Sequence, residues 1–118
     1  MAKQRTIKES FSLSGKGLHT GKVARMTVCP APADTGIVFR RIDLGEDALV
    51  PALAENVSNT ARSTTISSGN ASVSTIEHIL SALTGMGVDN AYIDIDNIEV
   101  PILDGSAKPY IDAIWNDG

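Results

Sequence analysis

Apolar and polar residues alternate along much of the first half of the chain, as they do in half-buried strands. The alternation predicts three strands, over 6–13, 23–29 and 36–42, with Val23 facing inward in the second. Weaker patterns predict an edge strand over 49–53, which contains Pro51, and a threonine-rich strand over 62–67. Glycines 15, 17 and 21 predict a loop after the first strand.

The second half of the chain changes to a helical period. Ile76, Ile79, Leu80 and Leu83 stand at the spacing of one face of an amphipathic helix, and glycines follow that face. Ser74 and Glu77 have the spacing of a capping box at the start of this helix.

A further strand is predicted over 88–95, and a second helix follows the 104–106 turn, with Ser106 as its cap and Pro109 in its first turn. Strands followed by helix, strand and helix predict an α+β fold, a two-layer sandwich in which a mixed sheet packs against two helices.

Composition limits the possible functions. The 118 residues allow one domain, 1–118, and the net charge of −4 with five aromatic residues provides no basic or stacking surface for nucleic acid. No apolar run approaches the ~18 residues of a transmembrane segment. Cys29 is the only cysteine, which excludes a disulfide framework and a cysteine-rich zinc site. These features predict a soluble, cytoplasmic protein.

Glu77 and His78 form the first candidate site. On a helical projection, His78 points away from the apolar stripe, so one interpretation is a solvated histidine beside a capping glutamate. The other interpretation is a metal ligand beside a general base, because neutral imidazole binds zinc and a neighbouring carboxylate can accept a proton from water.

Two further segments carry candidate residues. His19 lies between glycines 17 and 21, either at the tip of a hairpin or near a functional cleft. Arg62 and Ser63 lie in the threonine-rich run, which either lines a polar cleft or forms an edge strand.

Five motifs in order and register identify a family resemblance across essentially the whole chain. They resemble the N-terminal half of the UDP-3-O-acyl-N-acetylglucosamine deacetylases, the zinc hydrolases of lipid A biosynthesis in Gram-negative bacteria. The motifs are Lys3-Gln4-Arg5-Thr6, Gly15-x-Gly17-Leu18-His19-Thr20-Gly21, Pro30-Ala31-Pro32-Ala33-Asp34-Thr35-Gly36, Ser74-Thr75-Ile76-Glu77-His78-Ile79 and Pro101-Ile102-Leu103-Asp104-Gly105-Ser106.

The resemblance implies roles for individual residues. His78 matches a zinc ligand, Glu77 matches the general base, and His19 matches a histidine near the active site. Arg62 and Ser63 match a loop that borders the cleft, at positions where some members carry an apolar residue and a cysteine. The family has two similar domains, each a sheet on two helices, so residues 1–118 are expected to be the N-terminal domain.

The same resemblance implies a reaction. The expected full-length enzyme hydrolyses the N-acetyl group of UDP-3-O-(3-hydroxyacyl)-N-acetylglucosamine in the cytoplasm, which gives the free amine and acetate. One Zn²⁺ ligand lies in this chain, whereas the others, a His and an Asp, are expected in a C-terminal half that this chain lacks. The chain alone is therefore expected to be inactive, with that C-terminal domain and the nucleotide sugar as its partners. Some members are fused to a 3-hydroxyacyl-carrier-protein dehydratase.

Two alternatives remain open from the residues themselves. The chain could be a non-catalytic module that binds a nucleotide sugar or a partner through the polar face of the first helix. It could also build a metal site of its own from His19, His78 and a carboxylate.

Overall fold

The computed structural model describes residues 4–45, 48–53, 56–59, 64–69, 71–103 and 108–117. The elements run in the order β1 Phe11–Lys16, β2 Val23–Pro30, β3 Ile37–Arg41, β4 Leu49–Pro51, β5 Val57–Asn59, β6 Thr65–Ser68, β7 Ala71–Ser74, α1 Glu77–Gly85, β8 Ala91–Ile95 and α2 Lys108–Asp117.

The main sheet has five strands in the order β1-β2-β8-β3-β4. β8 is the central strand and pairs antiparallel with β2 and parallel with β3, whereas the outer pairs are antiparallel hairpins. Ala91, Ile93 and Ile95 are fully buried along β8, with half-buried Tyr92 and Asp94 between them. This alternation places one face of the strand in the core.

The core lies between the apolar face of this sheet and the two helices. α1 packs against α2, and α2 also contacts β1. Ile79 and Leu83 of α1 and Tyr110 and Ile114 of α2 are buried in the same cluster as Ile93. The Tyr110 hydroxyl donates to the Pro101 carbonyl at 2.5 Å, which fixes α2 to the segment that follows β8. Burial raises the pKa of the Tyr110 hydroxyl.

A smaller antiparallel sheet, β5-β6-β7, packs beside β3 and β4. Arg41 joins the two sheets: its guanidinium donates to the Ser72 carbonyl at 2.8 Å and to both carboxylate oxygens of Asp43. Its side chain is buried, so the paired carboxylate and the carbonyl satisfy a charge that would otherwise be costly.

The α+β prediction, with a mixed sheet and two helices, is confirmed. Two details of the strand predictions are wrong. β1 begins at Phe11 rather than at Thr6, because Thr6 makes only an isolated bridge with Asn90. At its other end the strand continues through Gly15 to Lys16, beyond the predicted end. Val23 is exposed, and the inward positions of β2 are Ala24, Met26 and Val28. Within the described residues, neither helix is long and apolar enough to cross a membrane.

Candidate active site

The first residue of α1 is Glu77, and its side chain does not cap the helix. Ile76 occupies the cap position without a side-chain hydrogen bond, and Ser74 belongs to β7, where its hydroxyl donates to the Ile98 carbonyl. The capping-box interpretation of Ser74 and Glu77 is therefore wrong, because the turn from β7 takes both residues away from that geometry.

The Glu77 carboxylate is instead held by Thr64, the residue that precedes β6. Its Oε2 accepts the backbone N–H of Thr64 at 2.8 Å, while the Thr64 carbonyl accepts the N–H of Thr75 at 2.9 Å. The second oxygen, Oε1, is buried and has no hydrogen-bond partner within the described residues. A buried carboxylate oxygen without a donor is costly, so this oxygen is suited to receive a hydrogen bond from a bound molecule.

His78 follows at the second position of α1. Ile76, Ile79 and Leu83 form the buried face of the helix, as the apolar spacing predicts. His78 lies off that face, but it is half-buried rather than fully solvated. His78 follows Glu77 directly in sequence, so both residues lie at the amino end of the helix.

His19 lies in the turn between β1 and β2, as predicted, and its side chain is exposed. The turn is closed by the Gly17 N–H, which donates to the Lys22 carbonyl, and by the Gly21 N–H, which donates to the Gly17 carbonyl. Gly21 has a φ of +67°, which favours glycine. The segment Gly17–Lys22 is called the His19 loop below.

Glu99 connects this loop to the residues before α1. Its carboxylate accepts the N–H of His19 at 3.0 and 3.1 Å, the N–H of Thr20 at 2.8 Å and the hydroxyl of Thr75 at 2.7 Å. Only 1% of Glu99 is exposed. Burial by itself would raise the pKa of Glu99, but the hydrogen bonds from Thr20, Thr75 and His19 outweigh it and hold the pKa below its ordinary value.

The backbone around Glu99 completes the connection. The Ser74 N–H donates to the Ile98 carbonyl at 2.8 Å, and the Val100 N–H donates to the Ser74 carbonyl at 3.1 Å. Two residues further on, the Ile102 N–H donates to the carbonyl of Lys16 at 2.9 Å. The segment after β8 thus lies between the end of β7 and the start of the His19 loop.

The structure therefore brings the His19 loop, the turn before α1 and Thr64 into one hydrogen-bonded group. Arg62 and Ser63 lie outside the described residues, as do Asp104 and Ser106. Thr64, which follows Ser63 directly, is the residue that binds Glu77.

Within the described residues, no three His, Cys, Asp or Glu side chains form a cluster that could hold a metal ion. A complete metal site made from His19, His78 and a carboxylate of these residues is therefore not present. His78 can supply one ligand, and the Glu77 oxygen that lacks a donor fits a site that is completed by other groups.

Sequence analysis missed Glu99 and Thr75. The signal for Glu99 was a single charged residue inside the apolar run Ile98-Glu99-Val100-Pro101-Ile102. A carboxylate at such a position is buried only when donors surround it. Those donors come from His19 and Thr20, about 80 positions earlier, and from Thr75, 24 positions earlier.

Comparison of the sequence with known proteins assigns the chain to a family. The sequence model of the LpxC family, UDP-3-O-acyl N-acetylglycosamine deacetylase, matches residues 4–118. The chain belongs to this family.

Curated relatives carry the same description. The chain is 51% identical over 118 residues to the UDP-3-O-acyl-N-acetylglucosamine deacetylase of Cellvibrio japonicus, and the match covers 100% of this chain and 39% of the relative. It is 55% identical over 115 residues to the deacetylase of Citrifermentans bemidjiense, covering 98% of this chain and 38% of the relative. The chain thus spans less than two fifths of the length of these relatives.

Proposed function

We propose that this chain is the N-terminal domain of a zinc-dependent UDP-3-O-acyl-N-acetylglucosamine deacetylase. One observation carries the proposal: the Glu77 carboxylate, next to His78 in sequence, is fixed through one oxygen, and its other, buried oxygen has no donor among the residues that the structure describes. Membership of the deacetylase family supplies the substrate class, a nucleotide sugar with an acetamide group.

Each residue has a distinct part in this proposal. His78 is one of the ligands that hold Zn²⁺, and the remaining ligands belong to the C-terminal half of the full-length enzyme. Zn²⁺, when bound, supplies Lewis-acid chemistry by acidifying water and polarising the acetamide carbonyl. The family resemblance assigns Arg62 and Ser63 to a loop at the substrate cleft and His19 to a position near it.

Glu77 acts as the general base. Its Oε1 accepts a proton from the attacking water as the new carbon–oxygen bond forms. The carbon–nitrogen bond then breaks as the nitrogen takes a proton from a general acid, which is expected in the C-terminal half, and acetate and the amine are released. The Thr64 N–H holds the other oxygen, so the carboxylate is oriented before substrate binds. The proposal includes a cytoplasmic location in a Gram-negative bacterium, which the family resemblance implies.

The full-length protein that carries this chain provides the test. Acetate release is measured after removal of metal with a chelator and again after addition of Zn²⁺, and we expect activity only with the metal. His78→Ala is expected to lower zinc affinity, whereas Glu77→Gln is expected to retain zinc and lose kcat by about 10²- to 10⁴-fold. Glu9→Gln, the same substitution at an exposed position, is the matched control.

Two results would contradict the proposal. Near-normal rates for Glu77→Gln would remove this residue as the base. A wild-type protein that binds the nucleotide sugar without releasing acetate would favour a non-catalytic binding module. Residues 1–118 alone are expected to bind zinc weakly and to show no turnover, because the other ligands are not in this chain.

A further inference from the structure

Glu99 is a buried carboxylate that is stabilised by hydrogen bonds. None of the ion pairs among the described residues includes Glu99. Among the described residues, the groups that stabilise its charge are the backbone N–H groups of His19 and Thr20 and the hydroxyls of Thr75 and Thr20. An ionised carboxylate in such a position costs free energy unless several donors are aimed at it, which is the arrangement that this loop provides.

The surrounding residues are also constrained in order to accommodate this carboxylate. A Cβ atom on Gly17 would lie 2.2 Å from Glu99 Oε1, so the loop can approach the carboxylate only with glycine there. Thr75, whose hydroxyl donates to Oε2, has a φ of +61°, a conformation that is uncommon for a β-branched residue. Backbone strain of this kind is concentrated at functional sites.

The Glu99 carboxylate connects two segments of the proposed site. The carboxylate binds the backbone of His19 itself and the side chain of Thr75, two residues before Glu77. One side chain therefore sets the position of the His19 loop relative to the start of α1, although the two segments are more than 50 residues apart in sequence.

We propose that Glu99 is a positioning residue of the active site, which holds His19 beside the Glu77–His78 pair through the His19 and Thr20 N–H groups. The inference rests on the proposed deacetylase function. Glu99 itself does not contact substrate in this proposal; it acts through the His19 loop, and its carboxylate cannot be replaced by an amide because Gln would direct an NH₂ group toward backbone donors.

A double-mutant cycle in the full-length protein tests the inference. Glu99→Gln, His19→Ala and the double variant are assayed for kcat, KM and zinc content, at a temperature where circular dichroism shows each to be folded. We expect Glu99→Gln to lower kcat by about 10- to 100-fold with zinc content unchanged, because small misplacements of site residues have effects of this size. In the His19→Ala background, the same substitution is expected to lower kcat less than about 3-fold.

Asp96→Asn is the matched control for the loss of a carboxylate. Asp96 lies three residues before Glu99 and also accepts a backbone N–H, but this N–H belongs to Arg25, at 2.8 Å, rather than to the His19 loop, and Asp96 is exposed. We expect its kcat to stay within about 2-fold of wild type.

Thr75 provides a second route if Glu99→Gln does not fold. Thr75→Ser retains the hydroxyl that binds Glu99 and is expected to keep most of the activity. Thr75→Val removes the hydroxyl and is expected to lower kcat, but by less than about 3-fold in the His19→Ala background. Equal losses of kcat from Glu99→Gln, or from Thr75→Val, with and without the His19 side chain would overturn the inference. A wild-type protein with no zinc-dependent deacetylation would instead overturn the proposed function and this inference with it.

Discussion

Gly17 is constrained by the side chain beside it rather than by its backbone angles. A Cβ atom there would meet Glu99 Oε1 at 2.2 Å and Thr20 Oγ1 at 2.8 Å, both well inside contact distance. Gly85, at the end of α1, has open space where a Cβ would lie and no positive φ. Substitution of each glycine by alanine therefore distinguishes the effect of the close approach at Gly17 from the effect of replacing a glycine that has open space around it.

Gly17→Ala is expected to destabilise the protein by about 1–3 kcal/mol, because the new methyl group must displace the Glu99 carboxylate from its donors. Gly85→Ala is expected to be neutral or to stabilise by about 0.5–1 kcal/mol, because alanine is the better helix former. Urea unfolding of both variants and wild type measures the difference. Equal free energies of unfolding for the two variants would contradict the close approach.

The Tyr110 hydroxyl offers a second test at this scale, because it is fully buried and donates to the Pro101 carbonyl. Tyr110→Phe keeps the ring and is expected to cost about 0.5–1.5 kcal/mol, the usual net value of a hydrogen bond. Tyr92→Phe is the control, because Tyr92 is half-buried and its ring retains the contact with the Arg40 guanidinium. Thermal unfolding that gives the same change for both variants would show that the Tyr110 hydrogen bond contributes little.

At the scale of elements, α1 carries the proposed site and buries Ile79, Ala82 and Leu83 in the core. Ile79 has no exposed surface, whereas Ser81, two residues later, is exposed on the same helix. Ile79→Ala is expected to cost about 2–5 kcal/mol, from lost burial and the cavity that remains. Ser81→Ala is expected to change stability by less than about 0.5 kcal/mol. Chemical unfolding curves for the two variants give both values, and a small loss for Ile79→Ala would contradict its place in the core.

The elements also show what a sequence can predict. The apolar spacing of α1 and the alternation of β8 predict both elements because each buries one continuous face. β5 and β7 were missed because they are short and rich in serine and asparagine, and the small sheet forms only when β6 joins them. The predicted end of β1 was wrong because Gly15 suggests a loop, although the strand continues past it in pairing with Ala24.

The candidate site was predictable only in part for a related reason. Family resemblance identifies Glu77 and His78, which are neighbours in sequence. The contacts of Glu77 with Thr64 and of Glu99 with Thr75 and His19 depend on the tertiary fold, and no local pattern reports them. The helical projection placed His78 off the apolar face but could not include the neighbouring segments that half-bury it.

For the molecule as a whole, two buried or partly buried carboxylates link stability to pH. Hydrogen bonds from Arg41 hold the pKa of Asp43 below its ordinary value against the opposing effect of burial. Burial opposes the low pKa of Glu99 in the same way, and the donors from Thr20, Thr75 and His19 outweigh it. A carboxyl group whose pKa is lower in the folded state stabilises the protein above its unfolded pKa, about 4.3 for Glu, and loses that contribution as the pH falls through the folded value.

We therefore expect the stability difference between wild type and Glu99→Gln to be greatest at neutral pH and to shrink as the pH falls below about 4.3. Urea unfolding of both proteins at a series of pH values from 7 to about 3.5 measures it. Asp43 titrates in both proteins, so its contribution cancels in the difference. A difference that stays constant over this range would show that the Glu99 charge does not contribute to stability.

The central place of β8 has a consequence for the order in which the chain is made. The β1–β2 and β3–β4 hairpins are complete once residue 51 has been synthesised, but they meet only through β8, whose residues are 91–95. Until the ribosome has added about forty more residues, the paired hairpins present the open edges of β2 and β3 to any other chain nearby. Nascent chains arrested before residue 91 are therefore the forms of this protein that are most prone to aggregation. Once β8 has been synthesised, it pairs with β2 and β3 and covers these edges.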